Sequence, residues 1–125
     1  MMSRIYYLRN DKNIRLKPNG EFTKGNPIGV IVSEIDRETN TIRYELACVH
    51  KRDHFVKRRG FDIAYGRLLK QPFIIQGVPK TGHEITTRIM NDIFANDRGT
   101  YAARKLAREW LEKASKSREH IRVET

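Results

Sequence analysis

Alternating apolar and polar positions in the first half of the chain predict β-strands. A short apolar run covers Ile5 to Leu8, and residues 28–35 are rich in β-branched side chains. In residues 41–50 the apolar side chains recur at every second position, which is the period of a strand. These apolar positions are Ile42, Tyr44, Leu46 and Cys48. Because Arg43 and Glu45 point the other way, we expect a hairpin with one buried face.

Turn-forming residues separate these strands. Pro18-Asn19-Gly20 predicts a turn in which Gly20 takes a positive φ, with short extended segments at 14–17 and 21–23 on either side. Gly25-Asn26-Pro27 predicts a second break, and the polar stretch 36–40 predicts the turn of the hairpin.

In the second half the apolar spacing changes to that of helices. A helix is predicted from Phe61 to Lys70, limited by Pro72 and followed by a short strand at 73–75. Its apolar stripe consists of Phe61, Ala64, Tyr65 and Leu68. Thr81 and Glu84 resemble a capping box, which opens a helix. The apolar positions of that helix are Ile85, Ile89 and Ile93.

The last predicted helix runs from about Thr100 to Lys116. Its apolar face consists of Ala103, Leu106, Ala107, Trp110, Leu111 and Ala114. The chain is therefore predicted to be α+β, with an antiparallel N-terminal sheet (a hairpin meander) packed by two or three C-terminal helices. Residues 1–116 are expected to form a single domain and residues 117–125 a C-terminal tail or a late strand.

The length and composition narrow the cellular setting. The 125 residues suit one domain, and the single cysteine, Cys48, excludes an internal disulfide. There is no apolar run of membrane-spanning length, and residues 1–9 lack the apolar core of a secretory signal. We therefore expect a cytoplasmic protein without a membrane partner.

Charge is the strongest functional signal in the sequence. The 25 lysines and arginines exceed the 15 acidic residues and give a formal net charge of +10. The excess lies in three blocks, residues 1–20, 50–70 and 98–118, which near-neutral stretches separate. Such self-repelling charge indicates a polyanionic partner, and we expect nucleic acid, either DNA or RNA.

The block 50–70 contains seven basic residues around a predicted strand-to-helix junction. They are Lys51, Arg52, Lys57, Arg58, Arg59, Arg67 and Lys70. Cations beside a helix N-terminus suit phosphate oxygens, because backbone N–H groups and the helix dipole add to the attraction. We expect Gly60 to let the backbone approach a phosphate closely. Phe55 and Tyr65 are expected to be core residues rather than platforms for bases.

The other two basic blocks are weaker candidates. In the last helix, pairs at i,i+4 such as Arg108–Glu112 favour an ordinary solvated face. The cations with the fewest nearby acids form a predicted secondary basic patch, namely Arg98, Arg104 and Lys105. In the N-terminal block, chain position alone does not show whether the cations join the 50–70 surface. These cations are Arg4, Arg9, Lys12, Arg15 and Lys17.

The sequence contains no motif that predicts catalysis or a cofactor. Cys48, His50, Asp53 and His54 lie close together in sequence, but a zinc site needs three or four ligands in a known spacing and there is no second cysteine. We expect no metal, no small-molecule cofactor and a core position for Cys48. A metal-independent ribonuclease stays open as an alternative, with His50 or His54 as its base.

Three short stretches carry a resemblance. They are Pro27-Ile28-Gly29, then Cys48-x-His50-x-x-Asp53-x-Phe55, then Gly60-x-x-Ile63-Ala64-x-Gly66-Arg67-Leu68. Together, over about a third of the chain, this resembles a segment of small proteins common in phages and their bacterial hosts. In those proteins a hairpin is followed by a polar loop and by a helix that begins near a Lys/Arg-Gly pair. Phe61 departs from the basic residue expected after that glycine.

The resemblance implies a phage-encoded accessory protein acting in a bacterial cytoplasm, and it assigns no functional residue. Together with the charge, it leads to a non-enzymatic nucleic-acid-binding protein as the main hypothesis. The alternatives are a protein-binding inhibitor, which would dock its basic surface on an acidic host or defence protein, and the ribonuclease.

Overall fold

The protein contains one four-stranded sheet and three helices. The computed structural model describes residues 2–10, 18–20, 26–48 and 54–124. The elements in chain order are β1 (Met2–Asn10), β2 (Asn26–Asp36), β3 (Thr41–Cys48), α1 (Lys57–Lys70), β4 (Phe73–Gln76), α2 (Gly82–Ala95) and α3 (Tyr101–Glu124). The strands pair in the order β1-β2-β3-β4, and every pair is antiparallel. The predicted α+β class with an antiparallel N-terminal sheet is confirmed.

Side-chain hydrogen bonds and glycine conformation account for the described turns. At the β2–β3 turn, the Asp36 carboxylate accepts hydrogen bonds from the N–H groups of Glu38 and Thr39 at 3.0 and 3.3 Å. Gly20 has the predicted positive φ, at +86°. The break predicted at 25–27 is wrong for Asn26 and Pro27, which already belong to β2. The register shifts beside them, between Leu8 and Arg9 of β1. The extended segments predicted at 14–17 and 21–23 lie outside the described residues.

Helices cover both faces of the sheet at β2 and β3, so the expectation of one buried face is wrong, although Ile5 of β1 and Ile74 of β4 stay exposed on the second face. On the first face the strands pack against α2 and α3. The buried strand and helix residues of this larger core are Leu8, Ile31, Ile35, Ile42, Tyr44, Leu46, Ile75, Ile85, Ile89, Met90, Ile93, Ala103 and Ala107. The second face packs against α1 through a smaller core of Val30, Val32, Ala47, Ala64 and Leu68. The sheet is therefore the middle layer between two helical layers.

The second face is covered because the chain crosses it between β3 and β4. Helix α1 packs across β2 and β3 there, and the chain then returns to the sheet as β4, which pairs with β3 at its edge. Arg43 stays exposed, but Glu45, predicted to face solvent, is only 6% exposed.

Helix α1 begins at Lys57, earlier than the predicted Phe61, and ends at Lys70 before Pro72. Gly60 is buried in this helix, since a Cβ there would lie 2.5 Å from Cε2 of the partly buried Phe55. Gly60 therefore makes room for Phe55 and does not open the backbone to a ligand, which corrects the predicted role. The prediction that Tyr65 is a core residue is also wrong, because Tyr65 is 42% exposed.

Helices α2 and α3 form an antiparallel pair on the first face. The Thr81 hydroxyl accepts a hydrogen bond from the Glu84 N–H at 3.2 Å, so the predicted N-cap of α2 is confirmed. The predicted apolar faces of both helices are turned towards the sheet. Helix α3 is longer than predicted and continues to Glu124, so residues 117–124 are helical and do not form the late strand. No helix in the described part of the chain combines the length and the apolar character that a bilayer crossing requires.

Candidate nucleic-acid interface

Two helix N-termini lie at the same end of the sheet, the end where β3 finishes at Cys48. At the start of α1, Gly60 lies against Val30, which pairs with Ala47 near the end of β3. At the start of α3, Gly99 lies against Leu46, two residues before the end of β3. Helix α2 begins at the opposite end, where Gly77 N–H donates to the Asn40 carbonyl a few residues before the helix. We call the Cys48 end the basic end, because the two predicted basic patches start there.

The first turn of α1 carries three adjacent cations, Lys57, Arg58 and Arg59, and all three are exposed. The turn contains no acidic residue, and the N-cap residue Val56 offers no side-chain hydrogen bond. Among the described residues, none of the three cations forms an ion pair with a carboxylate. Positive side chains at a helix N-terminus oppose the helix dipole, so this turn favours an external anion.

The N-terminal basic block joins this surface through Tyr7. The Lys57 Nζ lies 4.8 Å from the centroid of the Tyr7 ring, and the Arg9 Cζ lies 5.8 Å from the same centroid. Strand β1 thus brings Arg9 beside the start of α1, an arrangement that chain position alone left open. Arg4 lies elsewhere, donating to the Thr86 hydroxyl on α2 at 3.3 Å. The remaining cations of that block, Lys12, Arg15 and Lys17, lie outside the described residues.

The other predicted cations of block 50–70 do not all share this surface. Arg67 and Lys70 lie towards the far end of α1, which is about 20 Å long. The Arg67 Nη1 donates to the Leu46 carbonyl at 2.9 Å, so this guanidinium also ties α1 to β3. Both side chains line an open groove of about 800 Å³ together with the carboxylates of Glu45 and Asp62. Lys51 and Arg52 lie outside the described residues.

Glu45 is the buried acid of that groove. Removal from water raises the pKa of its carboxyl above the ordinary value. The Leu46 N–H, which donates to Glu45 Oε2 at 3.3 Å, and the charges of Arg67 and Arg98 act in the opposite direction without cancelling the effect of burial. Carboxylates on its border make this groove a poorer anion site than the first turn of α1.

The predicted secondary basic patch is only partly available to a ligand. The Arg98 Nε lies 3.6 Å from Asp92 Oδ2, and the Arg98 guanidinium covers the Phe73 ring at 4.3 Å. The Tyr44 hydroxyl also donates to Asp92, so Arg98 belongs to an internal polar cluster. The sequence places few acids near Arg98, but in the fold Asp92 reaches it from α2.

Arg104 and Lys105 lie on the first turns of α3 at the basic end. The Arg104 Nη1 donates to the Gly99 carbonyl at 2.9 Å, and its Nε lies 3.9 Å from the exposed Asp97. Lys105 is exposed. Farther along α3, the Arg108 Nε lies 3.7 Å from Glu112 Oε1, one of the predicted i,i+4 pairs.

Two exposed aromatic residues beside these cations were missed by the sequence analysis. Phe94 at the end of α2 and Tyr101 at the start of α3 are 46% and 73% exposed. They line a groove of about 130 Å³ together with Asp97, Arg104, Lys105 and Arg108. Tyr101 is not part of the apolar face predicted for α3. Its position outside that face was the one sign in the sequence that Tyr101 is not a core residue.

Of the residues considered for catalysis or metal binding, the structure describes Cys48 and His54. Burial raises the pKa of the Cys48 thiol to about 11, which disfavours the thiolate that a nucleophile or a metal ligand requires. His54 is exposed ahead of α1, whereas the His83 ring packs against Trp110 at 5.2 Å. Within the described ranges, no three histidine, cysteine or acidic side chains cluster as a metal site would require. His50 and Asp53 lie outside those ranges.

Comparison with known proteins finds no matching family model, no significantly similar curated protein and no significantly similar solved structure. The resemblance to small phage and bacterial proteins therefore stays a prediction from the sequence.

Proposed function

We propose that the protein binds nucleic acid non-enzymatically through its basic end, with phosphate groups held at the first turn of α1. One observation carries the proposal: Lys57, Arg58 and Arg59 are exposed at a helix N-terminus without an acidic partner among the described residues. Arg9 and the cations at the start of α3 extend the positive surface. The phage origin and the bacterial cytoplasm belong to the same proposal and are supported only by the resemblance.

A phosphate backbone fits this surface better than an isolated anion does. A single helix N-terminus holds one anionic group. Here Arg9 on β1 flanks the N-terminus of α1, and further cations lie at the start of α3 at the same end of the sheet. Cations distributed in this way suit a chain of phosphates. Binding should then release counterions, and the affinity should fall steeply as the salt concentration rises.

The test is a charge reversal at the first turn of α1. In the double variant Arg58→Glu/Arg59→Glu, we expect binding of a labelled oligonucleotide to weaken by at least about tenfold, because two charge-assisted contacts are lost. The slope of log affinity against log salt should flatten by about 1.4 for a single strand or 1.8 for a duplex. Fluorescence anisotropy at several salt concentrations measures both quantities.

A matched control changes the net charge equally at the other end of the sheet. Arg37 and Lys80 lie near the β2–β3 turn, roughly 20 Å from the paired residues Val30 and Ala47. The double variant Arg37→Glu/Lys80→Glu has the same formal charge as the α1 variant, lowered by four from +10 to +6. It should keep most of the affinity and its salt slope. Equal losses in the two variants would mean that binding follows net charge and not the first turn of α1.

A protein-binding function is the second candidate, and one observation favours it. Strand β1 is an edge strand whose outer side pairs with no other described strand. It exposes Met2, Tyr6 and, at 53%, Ile5. Unpaired edges with apolar side chains accept an added strand from a partner. The test is a pull-down from nuclease-treated lysate. This candidate is favoured over nucleic acid if one stoichiometric acidic protein is recovered, if Ile5→Lys loses that protein, and if Arg58→Glu/Arg59→Glu keeps it.

A further inference from the structure

We infer that the groove between Phe94 and Tyr101 holds an unpaired nucleobase, and that the ligand of the basic end is therefore single-stranded nucleic acid. This inference rests on the proposed function and narrows its substrate class. It starts from the aromatic residues, which phosphate binding alone does not use.

The exposure of the two aromatic side chains needs an explanation of its own. Tyr101 is 73% exposed and Phe94 is 46% exposed, although the faces of α2 and α3 towards the sheet are well packed. In the described part of the protein, neither ring stacks on another ring. The exposed part of each ring can therefore contact a planar group from a ligand.

The size of the groove fits one ring system. Its volume of about 130 Å³ is well below the roughly 300 to 1,000 Å³ of pockets that enclose drug-sized ligands. Its partly open shape also leaves room for a connected backbone to run past it. A single base attached to a chain meets both conditions.

The charge around the groove selects an anionic chain. Arg104, Lys105 and Arg108 line it together with Asp97. Arg104 lies 3.9 Å from Asp97 and Arg108 lies 3.7 Å from Glu112, so these carboxylates offset only part of the positive charge and Lys105 forms no ion pair among the described residues. Aromatic rings interleaved with cations are the combination that binds single strands, because bases stack on the rings while phosphates meet the cations. In a duplex the bases are already stacked and paired, so they cannot enter the groove without being flipped out.

The position of the groove links it to the phosphate site. It lies at the start of α3, at the same end of the sheet as the first turn of α1. A single strand that reaches from the N-terminus of α1 to the N-terminus of α3 therefore meets positively charged residues at both helices.

The test compares Tyr101→Ala and Tyr101→Phe with the wild-type protein. For a short single-stranded oligonucleotide, we expect Tyr101→Ala to weaken binding about 5- to 150-fold, the measured range for loss of one stacked base. Tyr101→Phe, which keeps the ring, should stay within about twofold of the wild type. The salt slope should not change in either variant, since no charge is lost. Because Tyr101 is largely exposed, both variants should fold, and circular dichroism checks this.

An abasic oligonucleotide of equal length separates this inference from the proposed function. It keeps the phosphates and removes the bases, so the wild type and Tyr101→Ala should bind it equally. If Tyr101→Ala binds the normal strand like the wild type, or if the wild type prefers a duplex of the same sequence, the stacking site is wrong while phosphate binding stands. If the wild type binds neither oligonucleotides nor duplex at low salt, the proposed function itself is wrong.

Discussion

Glu45 shows how burial changes the chemistry of a single residue. Its carboxyl is nearly removed from water beneath α1, and this burial raises its pKa above the ordinary value of 4.5. The folded protein then binds this proton more tightly than the unfolded chain does. The resulting stabilisation is complete below pH 4.5 and is lost as the pH rises through the folded-state pKa. Near neutral pH the ionised Glu45 therefore works against folding.

We expect Glu45→Gln to be more stable than the wild type at pH 7 and nearly equal to it below pH 4.5. Glutamine keeps an oxygen to accept the Leu46 N–H but has no charge to desolvate. Urea unfolding between pH 4 and pH 7 measures the free-energy difference, which should grow with pH and then level off. Glu38→Gln, in the exposed β2–β3 turn, measures the general effect of removing one negative charge. A difference that does not vary with pH would show that Glu45 is not desolvated.

Helix α1 contains two glycines in opposite surroundings. A Cβ on Gly60 would overlap the Phe55 ring, whereas a Cβ on Gly66 would meet no atom within 4 Å. Both positions lie inside the helix, where alanine is favoured over glycine by about 0.5 to 1 kcal/mol. Alanine at Gly66 therefore measures the gain in helix propensity alone, whereas alanine at Gly60 adds the steric cost of displacing the Phe55 ring.

We expect Gly66→Ala to raise the free energy of unfolding by about 0.5 to 1 kcal/mol. Gly60→Ala should instead lower it by about 1 to 3 kcal/mol, because Phe55 must leave its place against the smaller core. Chemical denaturation of the two variants gives the comparison directly. A stabilising Gly60→Ala would show that the Phe55 ring moves aside at little cost and that α1 is packed more loosely than described.

The elements were predictable from sequence where the deciding pattern is local. The strand predicted from the two-residue period of residues 41–48 and the capping residue Thr81 depend only on neighbours in the chain, and strand β3 and the N-cap are confirmed. The burial of Glu45 was not predictable, because it depends on α1 crossing the second face of the sheet. Nothing within residues 41–50 specifies that crossing.

The candidate site was predictable in part, for the same reason. Runs of basic residues are visible in the sequence, and Lys57 to Arg59 do lie together at the start of a helix. The partners of Arg98 come from other elements, since Asp92 lies on α2 and Phe73 on β4. Equally, only the pairing and packing of β1 bring Arg9 and Tyr7 beside Lys57.

At the scale of the whole fold, the described cations of the basic end lie where they oppose folding. Helix α2, which begins at the far end of the sheet, has a capped N-terminus with Glu84 in its first turn. Helices α1 and α3, which begin at the basic end, have no acid in the first turn. Charges near helix ends change stability by about 0.3 to 1 kcal/mol each at low ionic strength. A protein selected for stability alone would distribute them differently, so binding and stability compete at this end.

This competition predicts that Arg58→Glu/Arg59→Glu, the variant that loses binding, gains stability. Without nucleic acid and at low salt, its free energy of unfolding should exceed that of the wild type by about 1 to 2 kcal/mol, because two unfavourable charges become favourable ones. The gain should shrink as salt screens the dipole interaction. Arg37→Glu/Lys80→Glu has the same net charge, but its new carboxylates lie before the N-cap of α2 rather than in a first helical turn, and it loses the Arg37 hydrogen bonds to the Pro79 and Lys80 carbonyls, so it should gain less.

Adding a single-stranded oligonucleotide should reverse the order of stability. A ligand at 100 times its dissociation constant stabilises the folded state by about 2.7 kcal/mol, and only the wild type should receive this stabilisation in full. Thermal unfolding of the two proteins with and without the oligonucleotide at low salt gives all four values. If the variant is already less stable than the wild type without nucleic acid, Arg58 and Arg59 have favourable partners within the protein. The first turn of α1 would then not be a binding site for an external anion.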